Sequence, residues 1–182
     1  MKFAFPFLLL LIMTLISACG DHEAHHDQIE KEIVDLQNQE KEALKATVQK
    51  FYDALSTAPT DESVADMATW MDEKWNSTPT PAGGADREGF VKTLYMFHGM
   101  IPDLNWDVKD MHVDGNTVTV RSIATGTPNS PEGYFFGTPT DGSKKFEIMT
   151  IDVHRLVDGK FTTSFHVEDW LTAVQQVAPA SE

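Results

Sequence analysis

The sequence predicts an α+β domain in which N-terminal helices pack on a curved antiparallel sheet. Two observations carry this. Apolar residues recur every three or four positions through the first half of the chain, and beyond Pro102 the period shortens to two. Two Asp-Gly pairs, at 114–115 and 158–159, each separate a pair of alternating segments, so the strands flanking them run antiparallel.

Ahead of this domain lies a leader. Lys2 precedes an apolar run from 3 to 16, and the small residues Ser17 and Ala18 lead into Cys19-Gly20. The run is short for a membrane-spanning helix, so residues 1–18 are expected to be a secretion signal removed on export. "ISAC" resembles the bacterial lipoprotein lipobox, which implies lipidation of Cys19 and a place at the cell envelope, facing the periplasm from the inner or outer membrane. Cys19 is the only cysteine, so no disulfide forms within the chain. Residues 19–28, "CGDHEAHHDQ", show no apolar period and predict a flexible tether. His22, His25 and His26 on such a tract lack the fixed geometry of a metal site, and no metal is expected there.

The domain is expected over 29–178. Ile29, Ile33 and Leu36, then Leu44, Val48, Phe51, Tyr52 and Leu55, predict one long amphipathic helix with an apolar gap at "QNQEKE". A second helix restarts after Pro59, with Asp61 or Ser63 as cap and Val64, Met67, Ala68 and Met71 on one face. The Pro- and Gly-rich stretch from 77 to 89 is a loop, and Asp86 caps a third helix that carries Phe90, Leu94, Phe97 and His98 and stops at Pro102. Strands follow around Leu104–Val108, Val118–Val120, 145–157 and 161–167. Between them "TPNSPEGYFFGTPTDGS" holds three prolines and three glycines, too many for a central strand, and predicts an excursion that acts as a lid. "DWLTAVQQVA" closes the domain as a short helix, with Asp169 as its cap.

The charge narrows the function. With 28 acidic against 14 basic residues, net −14, the surface repels phosphate backbones and anionic headgroups. Nucleic acid is excluded as a partner, and membrane attachment can come only from a lipid anchor. Glycine-rich phosphate loops and Gly-x-Ser-x-Gly are absent.

"IPDLNWDVKDMHVDGNTVTVRSIATGT" followed by "FFGTPTDGSKKFEIMTIDVHRLVDGKFTTSFHVEDW" resembles the SnoaL-like polyketide or ester cyclases of the NTF2-like superfamily. The resemblance runs from about 45 to 177. It implies the NTF2-like cone, an intramolecular aldol closure with an aspartate as general acid and base beside a histidine, and no cofactor. The family's aspartate normally follows the aromatic residue of the last strand. Here His166 follows Phe165, while Asp152 stands on the preceding strand where the family often keeps its histidine, so the pair looks exchanged.

Asp152 and His166 are therefore the candidate catalytic residues, and the hairpin register decides whether they meet. A two-residue loop at Asp158-Gly159 pairs Val157 with Lys160 and puts Asp152 opposite Phe165. A three-residue loop with a bulge pairs Val157 with Phe161 and puts Asp152 opposite His166. The second gathers Thr150, Asp152, His154, Ser164 and His166 on one face and is favoured. The other face, Ile151, Val153, Phe165 and Val167, is then apolar enough to pair two copies into a homodimer.

His98, Trp106, Arg121, His154 and Phe135 are the candidate ligand-binding residues. Each has a bland counterpart: a helix-end interaction for His98, core filling for Trp106 and Phe135, a surface ion pair for Arg121, a satisfied core histidine for His154. Because the aspartate is displaced and an envelope lipoprotein is an odd place for polyketide synthesis, the reading favoured here is non-catalytic binding of a small, largely apolar ligand or an assembly partner. The alternative is a cofactor-free cyclase or isomerase using Asp152 and His166 on a carbonyl substrate.

Overall fold

The computed structural model describes residues 22–130 and 132–179; Cys19 and the expected leader, residues 1–18, lie outside them. The chain divides into two units, residues 1–39 and 40–182. Helix α1 (His22–Leu55) begins within the stretch expected to be a tether, residues 19–28, so most of that tether is helical. From Glu23 onward that stretch contains no glycine or proline to stop a helix. Between 25 and 39 the helix is largely exposed, Ile33, Val34 and Leu36 included.

In the second unit, Leu44, Val48, Phe51, Tyr52 and Leu55 bury the apolar stripe of α1. Thr60, not Asp61 or Ser63, caps α2 (Asp61–Trp70); its hydroxyl accepts from the Ser63 backbone while the Ser63 hydroxyl accepts from the Thr60 N–H. The helix stops at Trp70. Met71 opens a strand, β1 (Met71–Thr78), where the sequence had predicted helix. Met71 and Trp75 are four apart and both are buried, a spacing that suits a helix as well as a strand with an irregularity between 71 and 76.

Asp86 caps α3 (Arg87–Met100) as expected, accepting from the Gly89 N–H at 2.8 Å. The loop before it presses on the helix. A Cβ at Gly83 would meet the Gly89 carbonyl oxygen at 2.2 Å, so this approach, which brings residues 79–82 beside α3, requires glycine.

The remaining strands are β2 (Asn105–Asp114), β3 (Thr117–Gly126), the two short strands β4 (Tyr134–Phe135) and β5 (Thr138–Pro139), β6 (Phe146–Val157) and β7 (Lys160–Glu168); helix α4 (Trp170–Val177) closes the domain. The main sheet has the order β1-β7-β6-β3-β2. All its neighbours are antiparallel except β1, which lies parallel to β7 at the edge. The fold is thus the predicted α+β arrangement, helices packed on a curved, largely antiparallel sheet.

The β6–β7 hairpin combines the two registers considered. Val157 pairs with Lys160 across a two-residue turn, with Asp158 and Gly159 at φ +51° and +73°. Leu156 then faces Phe161 and Arg155 faces Thr163, leaving Thr162 as an extra residue. This bulge supplies the one-residue shift, and Asp152 lies opposite His166. Thr150, Asp152, His154 and Ser164 are buried on the helix-covered face; Met149, Ile151, Phe165 and Val167 are exposed on the other.

Candidate active site

A cavity of about 250 Å³ opens between the helices and the sheet. Its walls are aromatic: Phe51 from α1, Trp75 from β1, Phe90 and Phe97 from α3, Trp106 from β2 and Trp170 from α4. Phe136 adds a further ring from the turn between β4 and β5. It holds a backbone of φ +46°, which a bulky residue adopts only under strain, and its ring lies 5.4 Å from that of Trp170. The expected lid segment therefore reaches the cavity through Phe136. Phe135, the candidate named from sequence, is fully buried behind it and stacks on Phe146 at 5.7 Å. The two rings lie 4.7 Å apart, the strand residue Phe135 packed inward and the turn residue Phe136 half-exposed at the cavity.

The polar residues of the cavity come chiefly from the hairpin: Asp152, Ser164, His166 and Glu168. Asp152 Oδ2 accepts from the Tyr52 hydroxyl at 2.9 Å and stands 3.5 Å from Thr150 Oγ1. Its Oδ1 makes no hydrogen bond. Among the described residues no buried side-chain polar atom lacks a partner, so Oδ1 is open to the cavity. Burial pushes the Asp152 carboxyl up to about 7; the Tyr52 hydrogen bond, the charge on His166 and Thr150 oppose that rise, while the charge on Glu168 adds to it.

His166 is directly opposite Asp152 but takes its hydrogen bonds elsewhere. Nδ1 meets Glu168 Oε1 at 2.7 Å and Nε2 meets the Pro79 carbonyl at 2.7 Å. A carbonyl only accepts, so Nε2 carries a proton, and Nδ1 donates to Glu168 when the ring is protonated. Burial alone would lower its pKa; the hydrogen bond and charge of Glu168, the Pro79 carbonyl and Asp152 together outweigh burial and raise it. These contacts favour the charged form of His166, and the hydrogen-bonded Asp152–His166 couple expected from sequence does not form.

The other candidates separate clearly. Trp106 lines the cavity and donates its indole N–H to Thr150 Oγ1 at 3.3 Å. His154 is fully buried behind the floor, between Tyr52 and Ser164, and does not line it. Burial pushes its pKa down to about 3, so it is neutral. Arg121 sits opposite Ile151, on the sheet's outer side, and its Nε donates to Asp110 Oδ2 at 2.6 Å. That removes it from any ligand in the cavity, since β3 alternates and its inward neighbours are Val120 and Ser122. His98 donates to the Leu55 carbonyl at 3.2 Å, satisfying the carboxyl end of α1 rather than reaching the cavity. Asp169 caps α4, accepting from the Thr172 N–H at 3.0 Å.

Tyr52, Ser164, Glu168 and Phe136 belong to the site without having been named as site residues from sequence. Glu168 was the most accessible of them: it lies two residues from His166 and shares its face. Among the described residues, His26, Asp27 and Glu30 are the only grouping of potential metal ligands, and all three are exposed on α1.

An aromatic cavity with a carboxyl at its floor, beneath helices packed on a curved sheet, agrees with the family match. The SnoaL-like polyketide cyclase family matches residues 46–177, well over half the sequence. The chain belongs to this family. Among solved structures, a Bacillus cereus protein assigned as a polyketide cyclase is 26% identical, with a TM-score of 0.61 over 74% of this chain and 80% of that one. TsrD of Streptomyces laurentii (20% identity, TM-score 0.61) covers 74% of this chain and 94% of its own. AclR of Streptomyces galilaeus, assigned as a hydroxylase (19% identity, TM-score 0.57), has the same coverages. These last two show the fold alone. No curated protein matches the chain. SnoaL-like neighbours carrying more than one assigned activity mean that the chemistry of this member has to come from its own cavity.

Proposed function

We propose that this domain is an acid–base catalyst of the cyclase or isomerase type, acting on a small, largely apolar carbonyl compound. Asp152 takes the proton next to the carbonyl and returns it. The observation that carries this reading is the open Oδ1 of Asp152 on an aromatic cavity, in a carboxyl whose pKa burial brings to about 7. A group poised near neutral pH is half ionised where it works, which suits both halves of a proton transfer. Next to it the His166 imidazolium offsets part of the negative charge that develops on the substrate oxygen, and the aromatic walls hold a flat apolar body. This departs from the binding-only reading favoured on sequence, because a ligand store has no use for a carboxyl pushed up to neutrality.

The test is deuterium exchange at the α-carbon of β-tetralone in heavy water, followed by NMR. Exchange accelerated by the protein, with an inflection near pH 7 and lost in Asp152→Asn, supports the proposal. If β-tetralone quenches the cavity tryptophans yet exchanges at the buffer rate, binding without chemistry is the function.

We also infer that the domain is anchored through lipid on Cys19, supported by the lipobox-like residues 16–19. Cys19→Ser should move the protein into the soluble fraction, and unchanged detergent partitioning would overturn the anchor. The exposed apolar strip Met149, Ile151, Phe165 and Val167 supports pairing of two copies through the outer sheet face.

A further inference from the structure

Behind the cavity floor runs an unbroken chain of hydrogen bonds with both ends on the cavity. Ser164 Oγ lies 2.8 Å from His154 Nδ1, His154 Nε2 lies 3.0 Å from the Tyr52 hydroxyl, and that hydroxyl lies 2.9 Å from Asp152 Oδ2. Asp152 and Ser164 both border the cavity; the two middle members do not. Each inner member can give a proton on one side and accept one on the other. Three polar side chains at relative exposures of 0%, 0% and 1%, all aligned end to end, exceed what packing alone asks of a core.

The direction of the chain follows from counting protons. Trp75 Nε1, a donor only, points at Ser164 Oγ from 3.0 Å and fixes one of its lone pairs. With Asp152 ionised, the single Tyr52 proton lies on the carboxylate. His154 must then donate from Nε2 to Tyr52, its Nδ1 is bare, and the Ser164 proton lies on Nδ1. With a proton on Asp152 Oδ2, each link reverses: Asp152 donates to Tyr52, Tyr52 to Nε2, and Nδ1–H to Ser164. The Ser164 proton is then free to point into the cavity.

We propose that Tyr52, His154 and Ser164 form a proton relay that makes Ser164 a second proton-exchange point of the cavity, with Asp152 as its remote base. The proposal rests on the reading of Asp152 as the acid–base group. The step balances. A proton leaving an acidic O–H or C–H of the bound molecule joins Ser164 Oγ, and its electron pair stays on that molecule as an alkoxide or enolate. The Ser164 proton passes to His154 Nδ1, the Nε2 proton to Tyr52, and the Tyr52 proton to Asp152 Oδ2, neutralising the carboxylate. His154 never holds both protons as a lasting cation, in keeping with its burial. The groups facing Asp152 are Tyr52 from α1, Thr150 and His154 from β6, and His166 and Glu168 from β7. Of these groups, only Asp152 sits at an end of the chain, opposite the Ser164 end. The substrate this site suits thus carries two exchangeable positions, one over Asp152 and one over Ser164, such as a hydroxy- or dicarbonyl compound.

The relay is tested without any substrate. The His154 ring nitrogens are followed by ¹⁵N NMR while the Asp152 carboxyl is titrated by ¹³C NMR on the same protein. As pH falls through the Asp152 midpoint, wherever it lies, the pyrrole-like signal should move from Nε2 to Nδ1 while the ring stays neutral. Tyr52→Phe, which cuts the chain and keeps the ring, should abolish this response. A His154 tautomer that is the same on both sides of the Asp152 titration overturns the relay, and so does a switch that survives Tyr52→Phe. Loss of the acid–base function itself shows separately, as absence of β-tetralone exchange.

Discussion

Asp152 and His166 are cross-strand partners on the cavity face of β6 and β7, yet neither hydrogen-bonds the other. Asp152 turns to Tyr52 and His166 turns to Glu168 and to the Pro79 carbonyl. The consequence is a division of labour. One residue is a carboxyl that burial pushes up to about 7, and the other is an imidazole whose charged form is favoured by partners on both nitrogens.

The His166–Glu168 contact should make part of the stability depend on pH. Its folded pKa is raised, so the native state binds this proton more tightly than the unfolded chain does. The stabilisation is complete below the unfolded value of about 6.5 and disappears as pH rises through the raised one. Glu168→Gln removes the charge and should cost about 1–2 kcal/mol at acid-to-neutral pH, with the difference from wild type shrinking in alkali. Urea unfolding across pH reads this directly. A difference that grows towards alkaline pH would show that the ring is not held as an imidazolium.

Phe136→Gly should separate binding from folding. Glycine accepts φ +46° without strain, so the loss of an exposed ring is offset and stability should stay within about 1 kcal/mol of wild type. The cavity loses one aromatic wall, and affinity for β-tetralone, measured by tryptophan quenching, should fall about tenfold, or about 1.4 kcal/mol. Unchanged affinity would mean that the ring does not cover the ligand.

Pairing through the outer face is open to a similar test. Val167 is 70% exposed at the middle of the strip, so Val167→Lys places charge there with little cost to the fold. Sedimentation of the domain from residue 22 onward should show a dimer for wild type and a monomer for the variant. A monomeric wild type at micromolar concentration would remove the proposal.

Much of this architecture is local and could be read along the chain. The Asp158-Gly159 turn and the strict alternation of β6 place Thr150, Asp152 and His154 on one face whatever the rest of the fold does. The bulge at Thr162 is not local in that sense: the turn is the short one, and only the need to keep Ser164 and His166 inward betrays the extra residue. Tyr52 looked like one more apolar contact of α1, because its hydroxyl has a role only once β6 passes beneath it, 100 residues later. Strand β1 was hidden by Met71 and Trp75, whose spacing fits a helix. Arg121 and His98 were drawn to the site by residue type, whereas strand alternation and the end of α1 assign them elsewhere.

Asp152 carries the clearest trade between stability and chemistry. A carboxyl raised to about 7 is protonated in the native state at pH values where the unfolded chain, with a value of about 4, has already ionised. Between those values the native state holds the extra proton, so stability falls as pH rises from about 4 to about 7 and levels off above. The Asp152→Asn substitution keeps an acceptor for Tyr52 and has no charge to bury. It should therefore leave stability almost unchanged near pH 4 and raise it at about pH 8, by an amount on the order of 3 kcal/mol, while abolishing β-tetralone exchange. Thermal melts of both proteins at the two pH values decide it. A variant that is less stable than wild type at about pH 8 would show that the carboxylate is welcomed by its surroundings, and the burial argument for its poise would fail.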